Sequence, residues 1–138
     1  MPITKLIALI LLFMALVCGC AHETENKRGI RVSIIDLIAN PDRYHGKLVF
    51  LSAFVTLELE NMSLCMTREV ASSRDCLWLE IDPGPYETEE DLTRYQAAEE
   101  RWKPYNHKRI SIRGTFNKTN AGHFGGSSGA IENVTDIY

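Results

Sequence analysis

The sequence predicts a mainly β domain with short helices, a five-stranded Greek-key barrel carrying a helix between its third and fourth strands. Three observations lead there. Residues 48–59 alternate an apolar set with a mixed set over the length of one long strand. Shorter apolar stretches at 62–67, 76–81, 108–117 and 130–138 are separated by turn-rich segments. Between the third and fourth of these five, residues 87–102 are highly charged but keep apolar residues at helical spacing. The chain has 138 residues, 45% hydrophobic and 24% charged, which suits one globular domain and leaves little room for two cores.

At the amino terminus, Lys5 precedes an apolar run from Leu6 to Val17. One positive charge followed by an apolar stretch too short for a comfortable membrane span is the pattern of a secretory signal. Val17-Cys18-Gly19-Cys20 follows. This resembles the lipobox of bacterial lipoproteins, in which an aliphatic residue, a small residue and Gly or Ala precede an obligatory cysteine. Gly19-Cys20 matches that motif, while Cys18 is an unusual occupant of its position. The resemblance implies cleavage after Gly19, thioether lipidation of Cys20 and acylation of the new terminus. Residues 1–19 are then a lipoprotein signal peptide, and 20–31 a lipidated tether whose 21–29 stretch lacks large apolar groups. Each buried acyl methylene contributes about 0.8 kcal/mol, so two or three chains hold a protein on a membrane. Ala21 stands where an Asp commonly retains such proteins in the inner membrane. By the same resemblance the expected address is the outer membrane, facing the periplasm. The alternatives are a plain cleaved signal and an uncleaved anchor helix.

Four cysteines are present. If Cys18 leaves with the signal and Cys20 carries lipid, Cys65 and Cys76 remain as an even pair in an exported domain. Such a pair reads most simply as a disulfide. A metal or redox role would need further ligands nearby or a Cys-x-x-Cys spacing, and the sequence has neither.

The barrel domain, 32–138, opens on Ser33-Ile34-Ile35-Asp36-Leu37-Ile38-Ala39-Asn40-Pro41, a short helix with Ser33 and Asp36 as a capping box and Pro41 as its stop. Pro41 to Lys47 reads as a turn in which Gly46 is free to take positive φ. In the long strand Val49, Leu51, Ala53, Val55, Leu57 and Leu59 form the apolar set. A strand of that length must bend or be shared between two parts of a sheet. Glu60-Asn61 turns into the second strand, and residues 68–75 are polar enough for one helical turn. Cys76 to Ile81 is the third strand, stopped by Asp82-Pro83-Gly84-Pro85. In the helix, Thr88 is the candidate cap, and Leu92, Tyr95, Ala98 and Trp102 share one face. Ile110, Ile112, Gly114 and Phe116 alternate along the fourth strand, and a glycine-rich loop from Lys118 to Gly129 leads to the last.

Tyr44-His45-Gly46-Lys47-Leu48-Val49, Arg109-Ile110-Ser111-Ile112-Arg113-Gly114-Thr115-Phe116 and Gly129-Ala130-Ile131-Glu132-Asn133-Val134-Thr135-Asp136-Ile137 resemble strand segments of small OB-fold lipoproteins of bacterial envelopes. The resemblance covers nearly all of the domain and implies an OB-fold-like barrel with no assigned reaction. Another five- or six-stranded barrel or sandwich is the competing expectation.

Charge and motif narrow the chemistry. With the leader and its Lys5 removed, 14 basic side chains stand against 18 acidic ones, a balance that argues against nucleic acid as a partner. Gly122 to Gly129 lacks the Lys-Ser/Thr of a phosphate loop and precedes a strand, not a helix. The histidines have no metal-binding spacing, and Gly126-Ser127-Ser128-Gly129 is not a nucleophile elbow. No catalytic residue, metal or cofactor is expected. The candidate ligand-facing residues are His123 and Phe124 in the loop, with Arg109, Arg113 and Phe116 on the fourth strand, although alternation places Phe116 on the opposite face. The expected function is a non-enzymatic binding module of the envelope, with a protein or glycan partner. An envelope hydrolase, or an anion- or single-strand-binding OB domain, is the alternative.

Overall fold

The computed structural model describes residues 28–58, 60–69, 72–82 and 84–138. The expected signal peptide, Cys20 and the part of the expected tether up to residue 27 lie outside the described residues.

Among the described residues, six strands form one sheet. They are β1 (Ile30–Arg31), β2 (Leu48–Glu58), β3 (Asn61–Cys65), β4 (Cys76–Leu79), β5 (Arg109–Asn117) and β6 (Ala130–Ile137). The helices are α1 (Ile34–Ala39), α2 (Pro41–Tyr44) and α3 (Glu89–Trp102). β2 pairs with β3, β3 with β4, β4 with β6, β6 with β5, and β5 returns to β2. Five strands thus close on themselves, with α3 between the third and fourth of them, as an OB-fold-like barrel requires. Every pairing around the ring is antiparallel except β4 with β6, which is parallel. β1 adds a two-residue parallel pairing outside the ring, Ile30 to Val49 and Arg31 to Phe50.

β2 is long because two strands share it. Its first part, Leu48 to Phe54, pairs with β5, and its last part, Phe54 to Glu58, pairs with β3. The alternating set Val49, Leu51, Ala53 and Val55 points inward and is at most 1% exposed. It meets Leu64, Leu77, Leu79, Ile110, Ile112, Phe116 and Ile131 in one core. α1 adds Ile34 and Leu37 to that core, and α3 adds Trp102. Burial of each large aliphatic side chain stabilises the fold by roughly 1.5–3 kcal/mol before chain entropy is counted.

Both capping boxes form. Ser33 accepts from the Asp36 amide while Asp36 accepts from the Ser33 amide, and Thr88 and Asp91 repeat the arrangement on α3. Gly46 takes φ +73° in the turn before β2. At Gly114 the β5–β6 register shifts. A Cβ there would stand 2.6 Å from Ile131 Cγ2 and 2.9 Å from the Glu132 carbonyl oxygen, so only glycine fits this close approach. Cys65 and Cys76 face each other across β3 and β4, with Cα atoms 4.4 Å apart and sulfurs 2.05 Å apart. That is the geometry of a disulfide.

Some local expectations change. Pro41 to Tyr44 is a helical turn with proline at its start, and it buries Tyr44. Ile30 and Arg31, placed in the tether from sequence, belong to the sheet. Of the expected helical stripe, Trp102 is fully buried and Leu92 is 54% exposed. The start of α3 therefore projects beyond the core that its end enters.

Candidate functional site

Alternation separates the two faces of β3 and β4. The opposed pair Leu64 and Leu77 points into the core, which leaves Ser63 opposite Trp78 and Cys65 opposite Cys76 on the outer face. Two hollows open on this side of the molecule.

The first, of about 490 Å³, is polar. The disulfide lies at its wall, with Thr56 and Glu58 from β2 and Asn61 and Ser63 from β3. Arg68, Ser72 and Ser73 enter from the β3–β4 connection, His107 from the turn before β5, and Ser127 from the glycine-rich loop.

The second, of about 390 Å³, is mostly apolar. Met62, Trp78 and Ile81 come from β3, β4 and the chain just beyond β4, while Tyr86, Leu92 and Tyr95 come from the approach to α3 and from α3 itself. Glu60, Glu80 and His123 supply its polar groups. Trp78 Nε1 donates to Glu80 Oε2 at 3.3 Å. Burial pushes the Glu80 carboxyl above its ordinary range, against the lowering effect of that hydrogen bond, and the charge of Glu132 adds to the rise. The Tyr86 and Tyr95 rings meet edge to face with centroids 5.5 Å apart. Both hydroxyls are pushed up, chiefly by burial and then by nearby carboxylates.

An ion-pair network positions this wall. Arg94 Nε donates to Asp82 Oδ1 at 2.9 Å, Nη1 to Asp91 Oδ1 at 2.6 Å, and Nη2 to the Pro85 carbonyl at 2.8 Å. The Tyr86 hydroxyl donates to the Asp82 carbonyl. One guanidinium thus ties the chain after β4 to the first turn of α3 and holds the segment that carries Tyr86. Hydrogen bonds from Arg94 and Thr88 hold the Asp91 carboxyl down at about 2.

The glycine-rich loop lies along β4. Gly122 takes φ +77°, and a Cβ there would stand 2.6 Å from Trp78 Cε3. Ser128 donates its amide to the Cys76 carbonyl and its hydroxyl to the Arg74 carbonyl at 2.7 Å. Asn120 Nδ2 donates to Glu132 Oε1 at 2.9 Å. So fastened, the loop sends His123 to the apolar hollow and Ser127 to the polar one, while Phe124 is 73% exposed at its tip.

The fourth-strand candidates stand elsewhere. Phe116 is wholly buried and belongs to the core, so it is removed from the ligand-facing set. The register shift at Gly114 does not turn it outward. Arg113 Nη1 donates to Asp136 at 2.8 Å across β5 and β6, and Arg109 donates to the Met66 carbonyl. Neither lines either hollow. Sequence reasoning missed Trp78, Glu80, Tyr86 and Tyr95. A signal was present, since Trp78 and Glu80 occupy the outward positions of a strand whose inward positions are Leu77, Leu79 and Ile81.

Among the described residues, no group of three or more His, Cys, Asp or Glu side chains is placed to hold a metal ion, and no helix is long and apolar enough to cross a membrane. Compared with known proteins, the chain matches no family model, no curated protein and no solved structure.

Proposed function

We propose that this chain is a lipid-anchored protein of the bacterial envelope whose OB-like barrel is a non-enzymatic binding module. Cys20 is the anchor in this reading, and the outer membrane, facing the periplasm, is the address. The leader, the Gly19-Cys20 pair and a cysteine pair at disulfide distance support it together.

The observation that carries the binding role is the apolar hollow beside β4. Its walls come from a strand, a helix and the loop between the last two strands, and it keeps Tyr86 and Leu92 more than half exposed. Exposed apolar side chains gathered around a concavity mark an interaction site. A protein partner suits such a rim. The polar hollow next to it, rich in hydroxyl groups, suits a glycan.

Two experiments test the two halves of the reading. Cys20→Ala is expected to leave the precursor unprocessed and without palmitate label; normal maturation of that variant refutes the anchor. The chain from Ala21 onward is expected to retain a reproducible envelope component, and to lose it when Tyr86 and Leu92 are both changed to Ser. Retention unaffected by that double change moves the binding role off this face.

A further inference from the structure

The apolar hollow has a sign of charge as well as a shape. Its described lining includes the carboxylates Glu60 and Glu80 and three aromatic rings, Trp78, Tyr86 and Tyr95, but no lysine or arginine. The guanidinium of Arg94, from the helix that lines the hollow, donates to Asp82, Asp91 and the Pro85 carbonyl. Glu80 is held against Trp78 by the indole hydrogen bond, so one carboxylate and one ring are fixed together at the hollow. Rings attract a cation through their negative faces, and a partly desolvated carboxylate attracts it by charge.

Building on the binding role proposed above, we infer that the hollow receives the basic side chain, lysine or arginine, of a protein partner, with flanking apolar residues of that partner covering Tyr86 and Leu92. Charge complementarity selects the basic side chain, because the described lining offers two carboxylates and three ring faces against the single imidazole of His123, with no lysine or arginine. The exposed rim selects a protein over a small amine. Tyr86 is 60% exposed and Leu92 54%, and a lone amine inside the hollow would leave both in water. The aliphatic stem of lysine or arginine lies along apolar surface while its head group meets the carboxylate.

The test uses the chain from Ala21 onward, since every described strand and core residue falls after that point. Three capped tripeptides serve as probes: Leu-Arg-Leu, Leu-Gln-Leu and Leu-Glu-Leu. Binding is read by NMR from the Trp78 indole N–H and the Tyr86 and Tyr95 rings, with Trp78→Phe used for assignment. The arginine peptide is expected to shift these signals and the glutamate peptide to leave them in place. Glu80→Gln keeps an acceptor for the indole and removes the charge; it is expected to weaken the arginine peptide about fivefold, with an unchanged melting temperature as the folding control. Equal binding of the three peptides, shifts confined to another face, or no shift with any of them overturns the inference. If an envelope component binds Glu80→Gln as well as it binds the parent chain, the cation inference fails while the binding-module reading stands.

Discussion

Single residues decide how the β4 face is built. Gly122 combines a left-handed backbone with direct contact on the Trp78 ring. Gly122→Ala is expected to destabilise the protein by about 1–3 kcal/mol and to move the glycine-rich loop away from β4, read as a lower melting temperature with a shifted Trp78 indole signal. Asp91 sets a pH dependence. Its carboxyl sits at about 2 in the fold, against an ordinary value near 3.9 in an unfolded chain. A depressed carboxylate contributes stability that is present above the unfolded value and lost as pH falls through the folded one. Urea midpoints of the parent chain and Asp91→Asn are therefore expected to differ at pH 7 and to converge from about pH 4 downward; a gap that is constant with pH would remove Asp91 from that role. At this scale the sequence is legible where one residue does one local job. Ser33, Thr88 and Gly46 each signal a cap or turn. It is illegible where function depends on meeting a residue far away in the chain, as Tyr86 meets Trp78 across the second hollow.

Elements follow the same logic. Strands β2 and β5 are readable because a closed barrel has an apolar inside and a mixed outside, so period two survives along their length. In β6 the alternation breaks at Asn133, where φ is +49°, and Ile131, Val134 and Ile137 reach the core at a spacing of three. Strand β1 is not readable. Two residues carry no period, and only the parallel pairing with Val49 and Phe50 makes them a strand. Helix α3 is readable in existence and misleading in detail. Its spacing gives one apolar face, but Trp102 at its end is wholly buried and Tyr95 at its middle packs against the core, while its start is held by Arg94 and the Thr88 cap. Thr88→Ala is expected to cost about 1 kcal/mol, seen in the denaturation midpoint, because one amide of the first turn loses its acceptor. The β3–β4 pair carries the cysteine bridge. Cys65 and Cys76 are expected to resist alkylation until reduced, and their joint replacement by Ala to cost about 2–3 kcal/mol in equilibrium unfolding. Free thiols in oxidised, purified protein would contradict that expectation.

The whole molecule was legible as an order of elements before any contact was known. Five strands with a helix before the fourth is a sparse description, yet few topologies accommodate it. Closure was not visible in any one segment. It depends on β4 lying beside β6, a parallel pairing of residues 52 apart in sequence (Trp78 with Ala130) that leaves no trace in local periodicity. The site was less legible than the fold for the same reason, since its walls come from β3, β4, α3 and the last loop together. Composition marks the loop, and of its two candidates His123 lines the apolar hollow while Phe124 stands exposed at the tip. The fourth-strand candidates were chosen for their side chains, and the fold spends Arg113 on Asp136 and Phe116 on the core.

Strand β6 is the keystone of the ring, seated between β4 and β5 although it follows the other four ring strands in the chain. A nascent chain that has not yet released residues 130–137 from the ribosome holds two unzipped strand edges and no closed interior. Such a chain stays threadable until β6 emerges, and it snaps shut only once that strand is free. A chain ending at Gly129 is expected to collect in the insoluble fraction, because edges that should find β6 find one another instead.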